Sequence, residues 1–165
     1  MKKIIFLLAL LLPLAAAGQE GLKKVYDETL DQNAQIDKAL KAAKAEGKFV
    51  VCQVGGNWCP WCLRFADFVA KDAEISKLIA DNFVYIHTDY SPRGFKNDPA
   101  RKQRTEQMMK RLGNPGRFGF PVFVVLDSGG KVIHIQDSSF LEEGQGYSKE
   151  KVTRFFSNWT PSAVQ

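Results

Sequence analysis

Phe49-Val50-Val51-Cys52-Gln53-Val54-Gly55-Gly56-Asn57-Trp58-Cys59-Pro60-Trp61-Cys62-Leu63-Arg64-Phe65-Ala66-Asp67-Phe68-Val69-Ala70 is the stretch from which the rest of the chain can be placed. Its first six residues form an apolar, β-branched run suited to a buried strand, and Leu63 to Ala70 carries the apolar spacing of a helix. Gly55, Gly56 and Asn57 turn the chain between the two. Cys59 and Cys62 therefore stand three residues apart at the start of a helix, where they can open and close a disulfide. The unpaired backbone N–H groups and the dipole at a helix N-terminus favour negative charge, so the Cys59 thiol is expected to have a lowered pKa and to attack as the thiolate. Pro60 suits the first helical turn, because its φ is already helical and it has no N–H to leave unpaired.

Two plainer readings of the pair compete with this one. Cysteines at this spacing also serve as halves of zinc sites, but zinc wants about four ligands. The chain offers one further cysteine and two histidines, His87 and His134, both inside strand-like runs, so no metal site is expected. A purely structural disulfide is the other reading, and closing so short a loop restrains little chain entropy. The third cysteine, Cys52, lies inside the apolar strand, where a thiol behaves as a small core residue and burial raises its pKa.

The chain has 165 residues and 45% hydrophobic content, which suffices for one domain with an ordinary core. Its first residues read separately. Met1-Lys2-Lys3 is a positive n-region, Ile4 to Leu14 an apolar run broken by Pro13, and Ala15-Ala16-Ala17-Gly18 a small-residue cleavage site. We therefore expect a signal peptide over 1–18, a linker over 19–30 and one domain over 31–165. A membrane span needs about 20 apolar residues, and this run turns polar at Gln19 and Glu20, so no stable membrane insertion is expected once the signal is cleaved. The expected location is periplasmic or secreted, an oxidising setting in which disulfides persist. Without Lys2 and Lys3 the chain has 21 basic against 18 acidic residues and a charge of +3, too mild to argue for nucleic acid. Lys102, Arg104, Lys110 and Arg111 read as a solvated helix face.

Further elements follow from periodicity and punctuation. Asp31 or Asn33 caps a helix through Glu46 that Gly47 stops, with Ile36, Ala39, Leu40 and Ala43 on one face. After Asp72 a short helix carries Ile75, Leu78 and Ile79, and Phe83 to Thr88 is a second buried strand ended by Asp89. Ser91 to Arg117 reads as a helical insertion, with loop signals at Pro92, Gly94 and Pro99 and a polar helix over Ala100 to Leu112. Val122 to Leu126 and Val132 to Ile135 form an antiparallel hairpin through Gly129-Gly130. A helix from Ser148 closes the chain, with Val152, Phe155, Phe156 and Trp159 at helical spacing. This order predicts an α/β fold with a central mixed sheet flanked by helices on both faces.

The strand, the turn, Trp58-Cys59-Pro60-Trp61-Cys62, its helix, and much later Gly119-Phe120-Pro121 opening the strand Val122 to Leu126, together resemble the thioredoxin superfamily. The likeness covers most of the chain after about Asp31 and is strongest to its secreted members. It implies a thioredoxin fold with the insertion placed before a cis-proline strand, a redox-active disulfide between Cys59 as nucleophile and Cys62 as resolving thiol, and Pro121 as the cis-proline beside the substrate. One departure stands out. Where thioredoxins bury an aspartate that helps deprotonate the resolving thiol, this chain has Gln53, and the family's partnering lysine would fall near Tyr85.

Trp58, Trp61 and Phe120 are the apolar residues expected around the sulfurs, with Trp61 the more exposed tryptophan, and they suit an extended protein segment. His134 and Tyr147 read as structural. The function expected is an exported thiol–disulfide oxidoreductase with no cofactor, acting on protein thiols or disulfides and served by a membrane or periplasmic redox partner. The competing reading is a binding module or chaperone for unfolded chains with idle cysteines.

Overall fold

Asp31 starts the first helix, its carboxylate accepting from the Ala34 amide at 3.0 Å, and Gly47 ends it in the left-handed region at φ 66°, so α1 spans Gln32–Glu46. The computed structural model describes residues 21–164. The expected signal peptide and the first two residues of the expected linker lie outside the described residues. After α1 come β1 (Phe49–Gly55), α2 (Pro60–Lys71), α3 (Ala73–Asn82), β2 (Phe83–Asp89), α4 (Pro99–Arg111), β3 (Val122–Leu126) and β4 (Val132–Asp137). A small hairpin of β5 (Glu142–Glu143) and β6 (Gly146–Tyr147) precedes α5 (Lys149–Asn158). Asp72 both ends α2 and caps α3, accepting from the Glu74 and Ile75 amides at 3.0 Å each.

The main sheet has the order β2-β1-β3-β4. β1 runs parallel to β2 and antiparallel to β3, which pairs antiparallel with β4, so the sheet is mixed. Strand alternation divides its side chains between two faces. Val50, Cys52, Val54, Val122, Val124 and Leu126 pack under α1 and α4 with Ile36, Ala43, Met108 and Leu112. Val51, Phe123 and Val125 pack under α2, α3 and α5 with Phe65, Ile75, Ile79, Val152 and Phe156. Full burial of each large apolar side chain contributes about 1.5–3 kcal/mol, and both faces of the sheet contribute such residues.

The helix expected within 91–117 forms, and it is one of the layer's helices. Met108 and Leu112 are fully buried. The basic residues expected as a solvated face divide: Arg104 and Arg111 pair with Asp31 and Asp37 of the α1 region at 3.4 and 2.6 Å, while Lys102 faces Glu106 on its own helix. Among the described residues no helix is long and apolar enough to cross a membrane.

Candidate active site

The turn from β1 into α2 is tight because two glycines leave room for other groups. A Cβ on Gly55 would stand 2.5 Å from Cys62 Sγ and 2.9 Å from Tyr26 Oη, and one on Gly56 would collide with the Trp58 indole. Cys59 is the N-cap of α2, with extended backbone (φ −102°, ψ 105°), and Pro60 opens the first turn. The two cysteines are joined in a disulfide with Cα atoms 5.3 Å apart. The Cys62 amide donates to Cys59 Sγ at 3.2 Å. Cys59 keeps 4% of its surface in contact with solvent and Cys62 none, so the first sulfur is the one a partner can reach.

The Phe120–Pro121 peptide is cis, and the Phe120 carbonyl oxygen lies 3.5 Å from Cys59 Sγ. Sequence positions 61 residues apart are thus brought to one sulfur. Trp58 is 41% exposed, and its Nε1 donates to the Tyr90 carbonyl at 2.7 Å. Its ring meets Phe120 edge-on at 5.7 Å, and Phe120 stacks on Tyr90 at 4.9 Å, which makes an aromatic rim beside the disulfide. Trp61 is only half-buried but is the less exposed tryptophan, which reverses the expected order. The reason is the β5–β6 hairpin, whose two-residue strands are too short to leave a periodic signal in the sequence. Tyr147 packs against Trp61 at 5.5 Å and donates its hydroxyl to the Trp61 carbonyl at 3.1 Å, and Arg64 lies 4.9 Å over the indole.

Gln53 lies fully buried beneath Cys62. Its Nε2 donates to the Cys62 carbonyl at 2.9 Å and to the Tyr26 hydroxyl at 2.7 Å, and its Oε1 accepts from the Tyr85 hydroxyl. Tyr85, which the resemblance aligned with a lysine, is therefore a neutral partner to a neutral amide. Burial holds the Tyr85 and Tyr26 hydroxyls well above the usual tyrosine range, so both stay protonated.

Tyr26 belongs to the segment read as a linker, and the structure packs it into the site. Asn57 holds it there: its Oδ1 accepts from the Val25 and Tyr26 amides at 3.1 Å each, and its Nδ2 donates to the Tyr26 carbonyl at 2.8 Å. No periodicity marks residues 21–30. The available signal was indirect: a glutamine inside an apolar strand must find polar partners when buried. Cys52, on the other face of β1, is fully buried, and burial pushes its thiol up to about 12.

A family model described as a thioredoxin-like domain matches residues 36–137. Among solved structures, a disulphide isomerase from Xylella fastidiosa Temecula1 is 27% identical, superposes with a TM-score of 0.68, and the match covers 83% of this chain and 97% of that one. A structure described as the DsbH oxidoreductase is similar in fold at 17% identity and a TM-score of 0.53, over 87% of this chain and 90% of that one. Comparison with curated proteins finds no match. A disulfide-bonded cysteine pair whose first member caps a helix N-terminus is the arrangement that thiol–disulfide exchange requires, and the protein is a thiol–disulfide oxidoreductase. The matched segment takes in the cysteine turn, the cis-proline strand and its hairpin partner, and on that ground the chain belongs to the thioredoxin-like family.

Proposed function

We propose that this oxidoreductase is exported and exchanges disulfides with protein substrates, with Cys59 as nucleophile and Cys62 as resolving thiol. The observation that carries the reading is the place of Cys59 Sγ, which accepts the Cys62 N–H at 3.2 Å and lies 3.5 Å from the Phe120 carbonyl. A thiolate formed there is stabilised by the helix N-terminus. It attacks a substrate disulfide, a mixed disulfide forms, and one substrate sulfur leaves as the thiolate. Cys62 then attacks Cys59 Sγ, releasing the second substrate thiolate and closing the Cys59–Cys62 bond; solvent supplies protons to both leaving sulfurs. The reverse sequence oxidises a substrate dithiol.

Trp58, Trp61, Phe120 and Pro121 would give an extended segment apolar surface to lie on. This reading is supported by the exposed Trp58 ring against Phe120, by Trp61 and Phe120 packed on the cysteine cluster, and by the cis Phe120–Pro121 peptide whose carbonyl lies at Cys59 Sγ. Export is supported by the Met1–Gly18 pattern and accords with a pair that works as a disulfide. The redox partner that resets the pair is accordingly a membrane or periplasmic protein. The test is covalent trapping. Cys62→Ser should accumulate mixed disulfides with proteins of the exported fraction on non-reducing gels, and Cys59→Ser should not. Equal adducts from both variants would reverse the roles, and binding that survives loss of both cysteines with no adduct from either would favour the binding module.

A further inference from the structure

Gln53 makes three hydrogen bonds beneath the active-site helix and has none left to offer a sulfur. Both amide hydrogens are engaged, by Tyr26 Oη and the Cys62 carbonyl, and the amide oxygen accepts from Tyr85. The Tyr26 hydroxyl is different. It accepts from Gln53, but among the described residues no nitrogen or oxygen accepts its own hydrogen. Tyr26 Oη and Cys62 Sγ both face the space over Gly55, within 2.9 and 2.5 Å of the point where a Cβ would stand, and the two residues share one buried cluster. In the disulfide, Cys62 Sγ is a weak, neutral acceptor. In the reduced protein it becomes a thiol that must ionise in a fully buried site.

We propose that the Tyr26 hydroxyl donates a hydrogen bond to the Cys62 thiolate, making Tyr26 the residue that activates the resolving sulfur; this rests on the oxidoreductase reading above. Tyr26 works as a donor and not as a base. Burial keeps its hydroxyl protonated throughout the working range, so the Cys62 proton leaves to solvent and the tyrosine stabilises the charge left behind. The step balances: the Cys62 thiolate forms a bond to Cys59 Sγ, the Cys59–substrate disulfide breaks, and the substrate sulfur departs with the electron pair and takes a proton from water. The enzyme pair is oxidised by two electrons and the substrate disulfide has been reduced by two.

The surroundings supply no competing charge in contact with Gln53. From β2, Tyr85 and His87 face the cluster, with His87 edge-on to both tyrosines at 5.4 Å. At the end of that strand Asp89 is held by Ser91 at 2.7 Å and by Arg101 at 2.8 Å. Glu28, two residues along from Tyr26, approaches Arg101 at 3.8 Å and Asn57 at 3.4 Å. Tyr147 approaches from β6, and Cys52 lies across β1.

The experiment titrates Cys62 by thiolate ultraviolet absorbance in a Cys59→Ala background, with Tyr26 and with Tyr26→Phe, which keeps the ring. Loss of a hydrogen bond to the charged sulfur should raise the Cys62 midpoint by about one pH unit or more. With both cysteines present, mixed-disulfide resolution near pH 7 should slow only about threefold, because a tenfold loss of thiolate is partly offset by the greater nucleophilicity of the more basic sulfur. Fluorotyrosine placed at position 26 keeps the hydroxyl, strengthens it as a donor and should move the midpoint down, a result that packing alone would not give. An unmoved midpoint in both replacements overturns the role of Tyr26 and leaves the oxidoreductase standing if Cys62→Ser still traps substrate. Failure of that trapping would instead count against the proposed function.

Discussion

The Cys62 amide nitrogen lies 3.2 Å from Cys59 Sγ, so the first turn of α2 already points a donor at the sulfur that must become a thiolate. A hydrogen bond to an ionised acceptor is roughly twice as strong as one between neutral groups. Reduction therefore strengthens this contact. In the reduced protein Cys59 should be alkylated near pH 7 well before Cys62 or Cys52, with a pKa below the free value of about 8.5. Cys62 has no exposed surface, and Cys52 is both buried and pushed up to about 12. Mapping the alkylated sites by mass spectrometry checks this, and equal labelling of the three would exclude the assignment.

Asn57 fastens the 25–28 segment to the cysteine turn through three hydrogen bonds to the backbone of Val25 and Tyr26. At about 0.5–1.5 kcal/mol each, Asn57→Ala should weaken the attachment by about 2 kcal/mol or more. The loss is local, because the side chain holds a segment that makes no strand or helix of its own. Amide hydrogen exchange at Val25 and Tyr26 should accelerate by at least about thirtyfold while exchange in β1 and β3 changes little. Acceleration spread evenly through the sheet would mean that the segment is part of the global folding unit.

The cysteine turn was readable because every local rule there points the same way. A continuous apolar run, two glycines where a Cβ would collide, and a proline at the first helical position leave one arrangement. Asp31, Gly47 and Asp72 marked helix ends for the same reason, each acting through its own backbone or side chain. Tyr26 and Tyr147 were not readable as site residues. Tyr26 meets Gln53 across 27 residues and Tyr147 meets Trp61 across 86, and neither lies in a segment with periodicity. The same missing hairpin inverted the expected exposure of Trp58 and Trp61. Helix α4 reads in the sequence as a polar insertion, yet Met108 within it and Leu112 at its C-cap are fully buried and make it part of a layer.

His87 lies between the rings of Tyr26 and Tyr85, and its Nε2 is buried without a hydrogen-bond partner among the described residues. Burial pulls its pKa down from 6.5 to about 4. The folded state thus binds fewer protons than the unfolded state between these values, so stability is complete above pH 6.5 and declines as pH falls toward 4. The full effect is at most about 3 kcal/mol. Asp89 works against it, since burial raises that carboxyl and lets the folded state hold its proton more firmly as pH falls. Thermal melts of the parent should lose stability between about pH 6.5 and pH 4.5, and His87→Gln should flatten that slope. An equally steep slope in the variant would place the titration elsewhere.

Gln53→Asp tests the polar layer under Cys62 most directly. The substitution removes both donors that Gln53 gives, to Tyr26 Oη at 2.7 Å and to the Cys62 carbonyl at 2.9 Å, and puts a carboxyl where exposure is zero. Desolvation disfavours its charged form, while the Tyr85 hydroxyl, and Tyr26 once it turns, would donate to it. With no cation among the groups bonded to Gln53, desolvation prevails and the pKa rises toward neutrality. A folded pKa above the unfolded value of about 3.9 means that stability falls as pH rises between the two, by about 4 kcal/mol if the folded value reaches about 7. Above that pKa the carboxylate can take the Cys62 proton, so mixed-disulfide resolution should quicken where the protein is least stable. Stopped-flow resolution and thermal melts, both followed from about pH 6 to pH 9, should move in opposite directions. A rate that stays flat across that range would show that a base at position 53 does not reach Cys62, and that the proton leaves by another route.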